Sequence, residues 1–215
     1  MPETTTKRRT PNRRGEGARL REELITAASE LLAGLDSEEA LSLRAVARRA
    51  NIAPQSVYLH FSDRKALLSA VYEARFADLT ATLAAVAEHT EQSGLTGPAK
   101  AYARLRGLCR AYCQYAQRHP GHYRVLFGTA GTPGWEPRQL AGMPALRLLD
   151  DAVRSCQSDP APEQVPPHAS HATICLWAAL HGLVTLRRDR PSFPWPDLDE
   201  LIDCLIIAHA RPSGG

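Results

Sequence analysis

Between Pro54 and Phe61 the chain reads PQSVYLHF, and four of these side chains carry hydrogen-bonding chemistry suited to a nucleic acid. The Gln55 amide can bond an adenine edge bidentately, and the Ser56 hydroxyl adapts to base or phosphate. Tyr58 and His60 can donate to phosphates or pack on a thymine methyl. Upstream, Arg44 suits either guanine or phosphate, and Ser42 suits phosphate. Gln55 and Ser56 are the expected base readers, with Ser42, Tyr58 and His60 mainly fixing position. The same residue types would also serve as the wet face of an ordinary helical hairpin, and spacing alone does not separate the two.

The other reactive side chains assemble less well. His168 and His171 lie three apart near Glu163, but in a Pro-rich setting and without an H-E-x-x-H pattern. His119 and His122 flank Pro120 and Gly121, where closing a helix end is the simpler role. His181 suits a satisfied core position or a ligand contact. No G-x-S-x-G, phosphate-binding loop or dinucleotide fingerprint occurs. The five cysteines, Cys109, Cys113, Cys156, Cys175 and Cys204, form an odd set without C-x-x-C spacing, which points to reduced thiols. Cys109 and Cys113 share a helical face and would suit a metal or a redox switch, although burial as small core residues is the simpler account. The sequence therefore implies no catalytic residue, no metal, no cofactor and no enzyme.

The elements that must position the polar run are legible around it. Ser42 is a good N-cap, and Leu43, Val46, Ala47 and Ala50 recur at helical spacing while Arg44, Arg48 and Arg49 stay wet. Asn51 tolerates a left-handed backbone and stops that helix. Pro54 is well placed as the first residue of the next. Val57 and Phe61, four apart, can lock this second helix onto the first, which is a helix-turn-helix arrangement. A first helix from Ala18 to Leu35, with Leu20, Leu24, Ala27, Ala28, Leu31 and Leu32 as its stripe, packs behind the pair. After Phe61, either Ser62 or Asp63 can cap a long helix running through Leu67, Val71, Leu79 and Val86 to the break at 93–98.

The block LSLRAVARRANIAPQSVYLHFSDRKALL, residues 41–68, resembles the DNA-binding segment of the TetR family of bacterial repressors. The Val46–Ala47 pair, the short turn, Tyr58 and Phe61, and Lys65 with Leu68 stand at matching offsets, and the resemblance implies that Lys65 touches a DNA phosphate and fixes position. Two positions depart from the pattern: Asn51 replaces the usual Gly, and Ala53 replaces a Ser that often caps the reading helix. Loss of that hydroxyl forfeits about 1 kcal/mol of capping, which Pro54 offsets in part. The resemblance implies a homodimeric transcriptional regulator, a repressor that binds double-stranded operator DNA and responds to a small, largely apolar ligand.

Beyond the break, helical spacing continues from Ala99 to His119, with Tyr102, Leu105, Leu108, Tyr112 and Tyr115 apolar. Pro120 ends that helix, HYRVLF forms a short one, and the Gly- and Pro-rich stretch 128–144 reads as a loop containing Trp135. A helix over 145–157, a Pro-rich link, and two strongly apolar helices at 167–188 and 197–209 follow. By the resemblance, the last two helices pair with their copies in a second subunit, through Trp177, Leu180, Val184, Leu201 and Leu205. Trp177, His181 and Gly182 are similar to the Trp-x-x-x-His-Gly signature of one subgroup, with Gly182 permitting close helix approach. Phe76, Tyr112, Tyr123, Phe127 and Trp177 suit core packing by type, and the resemblance makes them the expected ligand-binding residues.

The resulting expectation is an all-α chain in which a three-helix helix-turn-helix domain is joined by a long helix to a larger ligand-binding and dimerisation domain. The expected segments are a basic disordered arm (1–17), the DNA-binding domain (18–66), the regulatory domain (67–210) and a tail (211–215). Charge distribution agrees with this division. Residues 1–72 hold twelve Lys plus Arg against nine Asp plus Glu, whereas the remainder holds fourteen of each, so the whole +3 excess lies at the first end. With no secretory leader and no membrane-length apolar run, the expected location is the cytoplasm.

Overall fold

The structure is a computed structural model and describes residues 16–35, 38–127, 136–157 and 169–210. The expected N-terminal arm up to residue 15, the C-terminal tail, Trp135, Glu163 and His168 lie outside the described residues. Among those described there is no strand.

Helix α1 (Glu16–Gly34) leads through a 3-10 turn (Glu38–Ala40) to α2 (Leu43–Arg49) and α3 (Pro54–Tyr58). Leu24, Ala28, Val46, Ala47 and Val57 are fully buried and form the centre of this small unit, with Phe61 closing it. Helix α4 (Arg64–Glu91) starts on the Asp63 carboxylate, which accepts from the Ala66 N–H at 2.8 Å. Of the two expected caps, Asp63 does the capping; Ser62 donates to it at 3.1 Å. With 28 residues, α4 spans about 42 Å and runs unbroken from the small unit into the larger one.

The larger unit comprises α5 (Gly97–Arg118), α6 (Pro120–Phe127), α7 (Glu136–Cys156), α8 (His171–Asp189) and α9 (Leu198–Ala210) around Leu79, Leu105, Leu108, Leu126, Leu176, Leu180, Ile202 and Ile206. Helix α7 corrects an expectation: it already begins at Glu136, so residues 136–144 are helical rather than part of a loop. Pro137 falls in the first turn, where a missing N–H costs nothing. Pro144 lies inside the helix and removes one backbone bond there. Gly142 lets α7 approach α4 closely, since a Cβ there would stand 3.0 Å from the Phe76 ring.

Polar contacts fix the outer helices. Asp203 on α9 accepts from Tyr102 Oη at 2.8 Å and Arg106 Nε at 2.6 Å, both on α5. Asp150 on α7 accepts from Thr173 Oγ1 at 2.7 Å and the Ser170 N–H at 2.8 Å, holding the start of α8. Between the two units, α6 lies against α1, and Gly121 permits it: a Cβ at 121 would sit 3.0 Å from that of Ala33. Beside this seam Arg75 Nη1 on α4 donates to His122 Nε2 at 3.0 Å. Burial, then Arg75, lower the His122 pKa from its ordinary value.

Candidate nucleic-acid interface and regulatory interior

The turn before α3 has the geometry its residues favour. Ser42 Oγ accepts from the Ala45 N–H at 3.1 Å, starting α2, and Asn51 ends it with φ of 54°, the left-handed conformation that Asn tolerates. Ala53 occupies the N-cap of α3 without a side-chain bond, and Pro54 supplies the first helical position. The Phe61 N–H donates to the Val57 carbonyl at 3.0 Å, so helical winding persists to the end of the segment.

Val57 is 0% exposed and marks the inward direction of α3. At about 100° per residue, Gln55 and Leu59 then stand about 160° from it on either side, and Ser56 and Tyr58 about 100°. Exposure follows this wheel: Gln55, Tyr58 and Leu59 are exposed, Ser56 and His60 half-buried. Ser42, Arg44 and Lys65 are exposed as well. The expected DNA contacts thus surround a protruding helix whose opposite side is packed in the core. Leu59 is absent from the expected set, because attention to polar readers passes over an apolar residue.

The five expected ligand residues do come together. Phe127 lies at its centre, with ring centroids 5.8 Å from Phe76, 6.1 Å from Tyr112, 4.8 Å from Tyr123 and 6.0 Å from Trp177. A polar string runs through the same cluster. Trp177 Nε1 donates to Tyr112 Oη at 3.2 Å, the Tyr112 and Tyr123 hydroxyls lie 2.8 Å apart, and Tyr123 Oη lies 2.6 Å from His181 Nδ1. Burial, then Arg188, push the His181 pKa below its ordinary value and favour a neutral ring. An indole only donates. The ordering that uses every hydroxyl proton therefore runs from Trp177 through Tyr112 and Tyr123 to an unprotonated Nδ1, placing the His181 proton on Nε2. Burial pushes both tyrosine hydroxyls up, away from ionisation. His181 is thus a member of this cluster that the expected set left out.

Comparison with known families decides what carries this geometry. Residues 24–71 match the model described as bacterial regulatory proteins, tetR family, and residues 105–208 match a tetracyclin repressor-like C-terminal domain. The chain belongs to the TetR family. It is similar to a solved protein of unknown function from a Rhodococcus species, at 29% identity and a TM-score of 0.65, covering 89% of this chain and 94% of that one. FadR of Bacillus subtilis, solved with stearoyl-CoA, shares the fold at 15% identity and a TM-score of 0.66 over 88% of this chain and 98% of its own. A TetR family regulator of Marinobacter aquaeolei does so at 16% identity and 0.63, over 93% and 97%. No curated protein matches significantly. The matched C-terminal description does not name the Trp-x-x-x-His-Gly subgroup, for which Trp177, His181 and Gly182 remain the only argument.

Within this TetR-family chain, two of the expected dimer residues point the wrong way. Leu180 and Val184 are 1% and 5% exposed in the single chain, so they have no surface left to bury against a partner. They belong to the chain's own core. Trp177, Leu201 and Leu205 are half-buried, and the outward residues of α8 and α9 are instead Ile174, Cys175, Leu186, Cys204 and Ile207. A Cβ at Gly182 would meet nothing within 4 Å, so the expected close approach is not made within the chain.

The thiol switch finds no support. Cys109 and Cys113 are both 0% exposed, and burial pushes the Cys113 thiol up to about 12 and Cys109 higher still. The thiolate is the reactive form, and neither site favours it. Among the described residues no cluster of His, Cys, Asp and Glu could hold a metal, and no helix is long and apolar enough to cross a membrane.

Proposed function

We propose that this TetR-family regulator is a homodimeric, sequence-specific repressor that leaves its operator when a small, largely apolar ligand binds. The observation that carries the reading is α3 itself, a helix with Val57 and Phe61 buried beneath it and Gln55 held out on its opposite side. Such a helix fits a major groove, with Gln55 and Ser56 toward the bases and Ser42, Arg44, Tyr58, His60 and Lys65 toward bases or phosphates at its margins. The segment division into arm, reading head, regulatory domain and tail follows the same reading.

Outward apolar surface on α8 and α9 supports pairing with a second copy: Ile174, Leu186 and Ile207 are 39%, 54% and 59% exposed. Trp177, Leu201 and Leu205 would lie beside them. Ligand control rests on the ring cluster of Phe76, Tyr112, Tyr123, Phe127 and Trp177, with the hydroxyl string and His181 as its polar handles. Phe76 belongs to α4, so a ligand that displaces it moves the helix on which the reading head is mounted. The fold shared with FadR, solved with stearoyl-CoA, is compatible with an apolar effector. Such a ligand shifts DNA binding only by its differential affinity for the two dimer geometries.

Selection of duplexes from a random pool, followed by footprinting and sedimentation with candidate acyl compounds, tests this reading. The expected product is a two-fold operator protected in two major grooves about 34–36 Å apart, occupied by a dimer and vacated on ligand addition. Turnover of a substrate without selective DNA binding would overturn it.

A further inference from the structure

Leu59 is 84% exposed, although Leu20, Leu24, Leu32, Leu41 and Leu43 of the small unit are all within 9%. Its backbone remains helical, with φ −71° and ψ −19°. It therefore continues the wheel defined by Val57 and shares with Gln55, four residues earlier, the ridge of α3 that stands furthest from the protein's core. Ser56, half-buried, stands to one side of that ridge, toward the wall of any groove that α3 enters. The two outermost side chains are thus an amide and an isobutyl group, separated by about 6 Å along the helix axis.

An isobutyl group offers no hydrogen bond. In the major groove the apolar feature of a base edge is the thymine C5-methyl, whereas every other recognition feature there is a donor or an acceptor. We propose that Leu59 is a base-reading residue, seated on the C5-methyl of a thymine about two base pairs from the adenine read by Gln55, the spacing that about 6 Å of helix spans on a duplex rising about 3.4 Å per pair. Each half-site of the operator accordingly contains two A·T pairs at this separation. The assignment rests on α3 being the reading helix.

The test uses the full-length protein and the duplex enriched by selection, with each thymidine replaced in turn by deoxyuridine, which lacks only the methyl. Wild-type protein is expected to lose about fourfold in affinity at one thymine per half-site, the change for one buried methyl group. Leu59→Ala is expected to bind the unmodified duplex more weakly and to be indifferent to that replacement. Because the side chain is exposed, the variant should keep the wild-type thermal midpoint, and Leu59→Met should retain sensitivity to the methyl. Enrichment of a duplex at which no thymine methyl matters, or undiminished deoxyuridine sensitivity in Leu59→Ala, overturns the role of Leu59 alone. Failure to enrich any duplex overturns the DNA-reading assignment of α3, and that of Leu59 with it.

Discussion

Asp150 should make this protein acid-sensitive by a calculable amount. Its side chain is 12% exposed and receives Arg154 Nε at 2.7 Å, Thr173 Oγ1 at 2.7 Å and the Ser170 N–H at 2.8 Å. Burial alone would raise its pKa. The bonds from Thr173, Arg154 and Ser170 outweigh burial and lower the carboxyl from 3.8 to about 2. A difference of this size between folded and unfolded states is worth about 2 kcal/mol. Because the folded-state value is the lower one, the contribution is complete above the unfolded value of 3.8 and disappears as pH falls toward 2, with roughly half gone at pH 3. Asp150→Asn removes the charge while nearly preserving shape. At pH 6 the variant should be less stable by about 2 kcal/mol, or about 4–8 °C in Tm for a chain of this size. Urea unfolding followed by far-ultraviolet circular dichroism at fixed protein concentration measures the gap, which should shrink by about half at pH 3. An equal gap at both pH values would mean that the amide merely packs badly, and the ionic account of this helix junction would be wrong.

Three further outcomes are expected. Asn51→Val places a β-branched residue at a φ of 54° and should cost about 1–2 kcal/mol with loss of DNA binding, whereas Asn51→Gly should be neutral or slightly stabilising, both read by thermal unfolding and duplex titration. Lys65→Ala should weaken binding on all duplexes and reduce the salt slope by about 1, while Gln55→Ala should relax preference at one base position; equal losses on every duplex would remove Gln55 as a reader. A thiol reagent should label at most Cys175 and Cys204 in the folded protein, with Cys109, Cys113 and Cys156 reacting only after unfolding.

The reading head was the most legible part of the chain because its signals are local. Asn51, Pro54 and the Val57–Phe61 pair each state a backbone or packing requirement within a few residues. The start of α7 was not legible, since Gly and Pro punctuate loops in general, and only the neighbouring Phe76 ring explains why this helix carries Gly142. Orientation of α8 failed for a related reason. That helix is apolar over much of its circumference, so periodicity does not say which leucines face inward, and the resemblance that assigns Leu180 and Val184 to an interface does not fix its rotation. The Asp150 junction joins residues about twenty apart across residues 158–168, beyond any local pattern. Leu59, two positions beyond Val57 on the wheel, was missed because only polar side chains were weighed as readers.

The contact of Gly121 with Ala33 makes one missing methyl group the spacer between the larger unit and the small one that carries α3. Side chains of graded bulk at 121 would pry that joint open by increments while leaving both the ring cluster and α3 chemically intact. On the proposed repressor reading, variation there would act as a trim control on resting operator occupancy.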